Sequence, residues 1–126
     1  MIEVSGVDFV AIPSTDVERA RGFYVDTLGL RPDERNPAEF WVGDTCFSIY
    51  EPAQYGLEFQ PQTKAPLALH VDDVEAARKE LQEKGVEFMG DTLDTGVCHM
   101  AFLADPDGNI LMLHNRYAPY DDESTP

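Results

Sequence analysis

The chain has 126 residues, 43% hydrophobic and 26% charged, which is the composition of one globular domain with a core of its own. Its 24 acidic and 9 basic residues give a formal net charge of −15, which disfavours phosphate-rich partners, so no nucleic-acid partner is expected. No apolar run approaches the roughly 20 residues that span a bilayer, so no membrane partner is expected either.

The opening stretch Met1-Ile-Glu-Val-Ser-Gly6 has no basic flank and no long apolar centre, unlike a secretory signal, and a cytoplasmic location is expected. In that setting Cys46 and Cys98 are expected as reduced, packing thiols. The surplus of carboxylates would attract a cationic ligand. A solvated surface kept soluble by its charge accounts for it equally well.

In chain order, Val7–Pro13 is a short apolar run that reads as a strand. Asp16 then suits the N-cap of a helix, and Val17, Ala20, Phe23 or Tyr24, and Leu28 recur at helical spacing as its buried face. Gly29 supplies the left-handed residue that ends it. Arg31–Pro37 is polar and suits an edge strand interrupted by Pro32 and Pro37. Glu39–Val42 and Thr45–Glu51 flank Gly43-Asp44, a hairpin signal. Pro52–Lys64, with Gly56 and Pro61, reads as a linker.

After the linker the pattern returns. Pro66–Val71 reads as a strand, Asp73 or Asp72 as a cap, and Val74, Ala77 and Leu81 as the buried face of a helix ended by Gly85. Val86–Met89 begins a strand and Asp91–Gly96 reads as a loop. Val97–Ala104 and Asn109–Asn115 read as strands joined by the turn Asp105-Pro-Asp-Gly108. The acidic tail 116–126 is expected to fray. Asp16-Val-Glu-Arg-Ala-Arg21 recurs, with five of six positions identical, as Asp73-Val-Glu-Ala-Ala-Arg78. The offset, 73 − 16 = 57 residues, points to two copies of one βαβββ unit. The expected organisation is module 1 over 5–51, linker 52–64, module 2 over 65–115 and the tail.

Three stretches carry a family resemblance. They are Asp16-Val-Glu-Arg-Ala-Arg-Gly-Phe-Tyr24 with Leu28-Gly-Leu30, His70-Val-Asp-Asp-Val-Glu-Ala-Ala77, and Ala104-Asp-Pro-Asp-Gly-Asn109. Together they resemble the vicinal oxygen chelate superfamily of glyoxalases, dioxygenases, and fosfomycin- and bleomycin-resistance proteins. The resemblance implies an α+β fold in which two tandem βαβββ modules form a cupped, highly curved mixed sheet with helices outside. It also implies a small-molecule ligand held in the cup, and the pairing of two chains as a homodimer.

Metal-dependent members of that superfamily place four ligands on the floor of the cup. By the resemblance, three of these positions fall here on Phe9, Pro66 and Met112, and the fourth lies within Cys46–Glu51. Phenyl, proline ring and thioether are poor donors for hard or borderline divalent cations. The expectation is therefore a protein without a metal cofactor that binds and sequesters its ligand in the manner of bleomycin-resistance proteins. The alternative is a lyase or dioxygenase with a divalent metal on a displaced site of His70, His114 and Glu51.

Strand alternation places His70 with Pro66 and His114 with Met112, facing the cup, and leaves the direction of His99 open. Each of these histidines is also consistent with a partly exposed strand end. The candidate ligand-binding residues are Phe9, Trp41, Tyr50, His70, Met100, Met112 and His114, an apolar set with a few polar groups that suits a flat or aromatic molecule.

Overall fold

The structure is a computed structural model that describes residues 1–119; most of the expected tail, 120–126, lies outside the described residues. The chain divides into two compact units, Met1–Gln62 and a second beginning at Thr63, a boundary inside the expected linker. Each unit runs βαβββ.

The first unit holds β1 (Phe9–Pro13), α1 (Val17–Arg21), β2 (Arg31–Pro32), β3 (Glu39–Val42) and β4 (Thr45–Tyr50), with sheet order β1-β4-β3-β2. The Asp16 carboxylate accepts the Arg19 amide at 3.1 Å, and such a cap contributes about 1 kcal/mol. The helix does not stay α-helical to Gly29. From Gly22 to Thr27 it widens into a π-helical segment, in which the Leu28 amide donates to Phe23 O, five residues back. Gly29, at φ 78°, then ends it.

Ala20 and Tyr24 are fully buried against the sheet. The Tyr24 ring stacks on Phe40 with centroids 5.7 Å apart and meets Phe23 and Phe47 edge-on. The expected edge strand over Arg31–Pro37 is only two residues long. Asp33 ends it by accepting the amides of Arg35 and Asn36, which folds the chain into a turn. In the β3–β4 hairpin only Gly43 has positive φ, the pattern of a type II′ turn. The linker carries a short 3₁₀ turn, Pro52–Tyr55, closed by left-handed Gly56.

The second unit holds β5 (Leu67–His70), α2 (Val74–Glu83), β6 (Phe88–Asp94), β7 (Cys98–Ala104) and β8 (Ile110–Arg116), with order β5-β8-β7-β6. Asp73, not Asp72, caps α2, accepting the Ala76 amide at 3.0 Å. Val74 and Leu81 of α2 are buried with Ala101, Leu103, Leu111 and Leu113 of the sheet. At the β7–β8 turn the buried Asp105 carboxylate accepts the amides of Asp107 and Asn109 and the Asn109 side-chain amide. Gly108 supplies the positive φ.

Two boundaries differ from expectation. Asp91–Asp94, expected in a loop, continue β6. The register shifts between Met89 and Leu93, with Gly90 at φ 66° taking up the irregularity, so the strand resumes beyond a bulge. Arg78 fastens this bulge to α2. Its guanidinium donates to Gly90 O at 2.7 Å and Thr92 Oγ1 at 3.1 Å, and lies over the Phe88 ring. Arg116, expected in the tail, belongs to β8, and the chain stays anchored for at least one more residue. Tyr117 Oη donates to Asp94 Oδ1 at 2.6 Å, and its ring lies 4.8 Å from that of His99.

Two tests follow from this packing. Tyr24→Ala removes a ring with no exposed surface, and the expected cost is about 3–5 kcal/mol, as for other buried aromatic rings, read as a fall in the urea midpoint. The Tyr117 hydrogen bond, followed by the Gly96 amide, holds the Asp94 carboxyl below its ordinary value of 3.8. The same bond to Asp94 holds the Tyr117 phenol above its ordinary 10.0. The native state therefore binds the Asp94 proton more weakly than the unfolded chain does. The stability this contributes is complete above 3.8 and is lost as pH falls through the lower folded value. The Tyr117 contribution is present below 10.0 and is lost as pH rises through the raised value. In Tyr117→Phe the Asp94 carboxyl, followed by carbon NMR, should titrate closer to 3.8; an unchanged titration would contradict the assignment of the shift to Tyr117.

Candidate functional site

Each sheet has one face covered by its own helix, and alternation sends every second side chain to the opposite, open face. In the second unit, Leu67, Leu111, Leu103 and Phe88 form one cross-strand row on the helix side. The residues between them form two rows on the open face. One row is His70, His114, Met100 and Leu93, and the other is Ala68, Met112, Phe102 and Met89. Every strand contributes one residue to each row. His114, Met100, Met112 and Phe102 are half-buried, while Leu93 and Met89 are exposed. The outcome is an apolar, thioether-rich surface with two imidazoles at one end.

Four expected site residues, His70, Met100, Met112 and His114, thus lie side by side. His70 Nε2 is 3.1 Å from Asp72 Oδ1, so the residue weighed as an alternative cap instead orients this imidazole. His99 lies elsewhere. It has the alternation of Ala101 and Leu103 and therefore faces the helix side, beside Asp94 and Tyr117. The sequence reading missed Phe102, Met89 and Leu93. Phe102 shares alternation with Met100 and was readable on that signal. Leu93 was hidden by the assignment of its segment to a loop.

In the first unit the helix side carries Val10, Ile12, Phe40, Phe47 and Ile49, and the open face carries the row Phe9, Cys46, Trp41 and Arg31. Phe9 and Trp41 therefore flank Cys46. Tyr50 is farther along β4, beside Pro13, with its ring edge-on to Tyr55. Phe9 is 59% exposed, so it does not close an apolar floor within its own unit. Trp41 Nε1 donates to Asp33 Oδ1 at 3.0 Å, and the Arg31 guanidinium lies 5.7 Å from the ring centre. The indole hydrogen bond, followed by the Asn36 and Arg35 amides, lowers the Asp33 pKa. These groups line an open polar hollow of about 570 Å³. Burial, followed by the charges of Glu39 and Asp33, raises the Cys46 pKa, which keeps the thiol protonated and a poor nucleophile.

The duplication locates the remaining metal-ligand position of the resembling superfamily. Ala11 and Ala68 are related by the 57-residue offset, and they pair with Ser48 and Met112 respectively. Ser48 is thus the counterpart of Met112. The four positions hold Phe9 and Ser48 in one unit and Pro66 and Met112 in the other, a donor set that does not fit a divalent cation. Among the described residues no three His, Cys, Asp or Glu side chains are grouped to hold a metal ion. Glu51 belongs to the first unit, where its carboxylate accepts from Gln54 Nε2 at 3.4 Å.

Comparison with known proteins agrees with this architecture. A curated relative, a glyoxylase-like domain-containing protein of Didymella fabae, is 28% identical over 118 residues, spanning 85% of this chain and 88% of its own. Among solved structures, TnmS3, an antibiotic binding protein from Streptomyces sp. CB03234, is 28% identical with a TM-score of 0.73, covering 92% of this chain and 99% of that one. A member of the glyoxalase/bleomycin resistance protein/dioxygenase superfamily from Sphaerobacter thermophilus is 26% identical with a TM-score of 0.74, covering 88% of this chain and 97% of its own. The model of the Glyoxalase/Bleomycin resistance protein/Dioxygenase superfamily matches residues 6–113, and the chain belongs to that superfamily.

Proposed function

We propose that this protein binds and sequesters a small, flat, largely apolar molecule without a metal ion. The observation that carries this reading is the open face of the second unit, where Met89, Leu93, Met100, Phe102 and Met112 form an apolar surface with His70 and His114 at one end. Thioethers and an aromatic ring adapt to a planar apolar ligand, and imidazoles at one end supply the few polar contacts that orient it. The donor-poor set Phe9, Ser48, Pro66 and Met112 supports binding over metal-assisted chemistry. The antibiotic-binding activity named for TnmS3 supports the same class of function.

The proposal includes a homodimer, a pairing that would cover apolar surface now exposed at Ile2, Val4, Val7 and Phe9. It also includes a cytoplasmic setting, in which the free, buried Cys46 and Cys98 stay reduced. Among the described residues no helix is long and apolar enough to cross a membrane.

The test is calorimetric titration of the untagged protein with a panel of planar polycyclic compounds, with and without EDTA. Saturable binding is expected for some members of the panel, unchanged by EDTA and weakened about tenfold in His114→Ala, the value of one lost polar contact. Binding that disappears with EDTA would overturn the metal-free reading. Light scattering on the same sample should give twice the chain mass of 14.1 kDa; the single-chain mass would overturn the dimer.

A further inference from the structure

We propose that the row His70, His114 and Met100 is a binding site for a soft monovalent cation, copper(I) or silver(I). The inference uses the same face as the ligand reading but does not depend on it. His70 pairs with His114 across β5 and β8, and His114 pairs with Met100 across β8 and β7. Across the antiparallel β7–β8 pair, directly opposed residues on one face have Cβ atoms about 4.5–5.5 Å apart, and parallel β5 lies about 4.8 Å on the other side of β8, so two imidazoles and a thioether can converge on one ion. Met112 lies two residues from His114 on the same face and offers a second thioether.

The donor set selects the ion. Thioether and imidazole suit copper(I), while hard cations require oxygen donors that this row does not contain. His70 also has the outer partner expected of a metal-binding histidine. In the neutral ring, Asp72 Oδ1 at 3.1 Å favours the tautomer with its proton on Nε2, which leaves the Nδ1 lone pair for a metal ion. The half-burial of His114 and Met100 limits competition from water. The formal charge of −15 raises the local concentration of any cation. The arrangement has no counterpart in the first unit, where Pro13 and Tyr50 occupy the places of His70 and His114.

Silver(I) is the probe, because it keeps its oxidation state in air. The untagged full chain, with its methionine methyls and histidine rings labelled with carbon-13, is titrated with silver nitrate and separately with zinc chloride. One equivalent of silver should shift the Met100 methyl and both the His70 and His114 rings, and zinc should not. His114→Gln and, separately, Met100→Leu should weaken silver binding about tenfold or more while leaving the remaining methyl spectrum native. The buried thiols are the competing site. A silver response confined to Cys46 and Cys98, or Met100 and His114 signals that stay fixed at stoichiometric silver, would overturn the proposal. So would zinc binding as tightly as silver. If planar compounds fail to bind while silver shifts Met100, the ligand reading falls and this one stands.

Discussion

The register of β8 between β5 and β7 decides the chemistry of the second unit. Leu111 and Leu113 must face α2, because they supply the buried surface against which Val74 and Leu81 pack. Alternation then leaves Met112 and His114 no choice but the open face. A slip of one residue would bury His114 and expose two leucines. Burying an unpaired imidazole and exposing two leucine side chains would each cost on the order of 2 kcal/mol or more. The hydrophobic core therefore fixes the position of the histidines.

The two units show which parts of the repeat are structural and which have diverged. Asp16 and Asp73 perform the same capping bond, and Arg21 and Arg78 both reach from a helix to a backbone carbonyl, at Pro37 and at Gly90. The aspartates close the first turn of each helix and the arginines tie each helix to a segment of its own unit, tasks each unit must accomplish separately. On the open faces the related positions differ. Pro13 stands opposite Tyr50 where His70 stands opposite His114, and Ser48 stands where Met112 does. Open-face side chains do not pack against the helix, so their chemistry can differ between the units without disturbing the helix–sheet contact.

This division also explains what the sequence made legible. Caps, turn glycines, apolar alternation and the repeat are local signals, and they gave the order βαβββ in each unit. Alternation also put His70, His114 and Met112 on one face. The π-helical stretch in α1 was not legible, because Phe23 and Tyr24 satisfy helical spacing in either winding. Asp91–Asp94 were not legible because Gly90 and Asp91 signal a turn locally. The strand forms there through a tertiary contact, the guanidinium of Arg78 twelve residues away from Gly90. With that stretch went Leu93. The Tyr117–Asp94 bond joins the residue after β8 to the end of β6 and leaves no trace in local pattern.

The energetics of the two open faces differ in kind. The hollow beside Trp41 is lined by Arg31, Asp33, Glu34, Arg35 and Asp44, and a ligand there would have to replace water around several charges. The open rows of the second unit contain no carboxylate, so a ligand can cover them at little desolvation cost. Covering about 200 Å² of apolar surface at about 25 cal/mol per Å² gains about 5 kcal/mol. Loss of translational and rotational freedom takes back at least about 4 kcal/mol. Apolar contact with one sheet face thus leaves at most about 1 kcal/mol, a Kd of about 0.2 M or weaker. Tight binding requires the imidazole hydrogen bonds and a second surface over the ligand. On the proposed reading, the apolar face would supply the place, the histidines orientation and part of the affinity, and a second surface the rest.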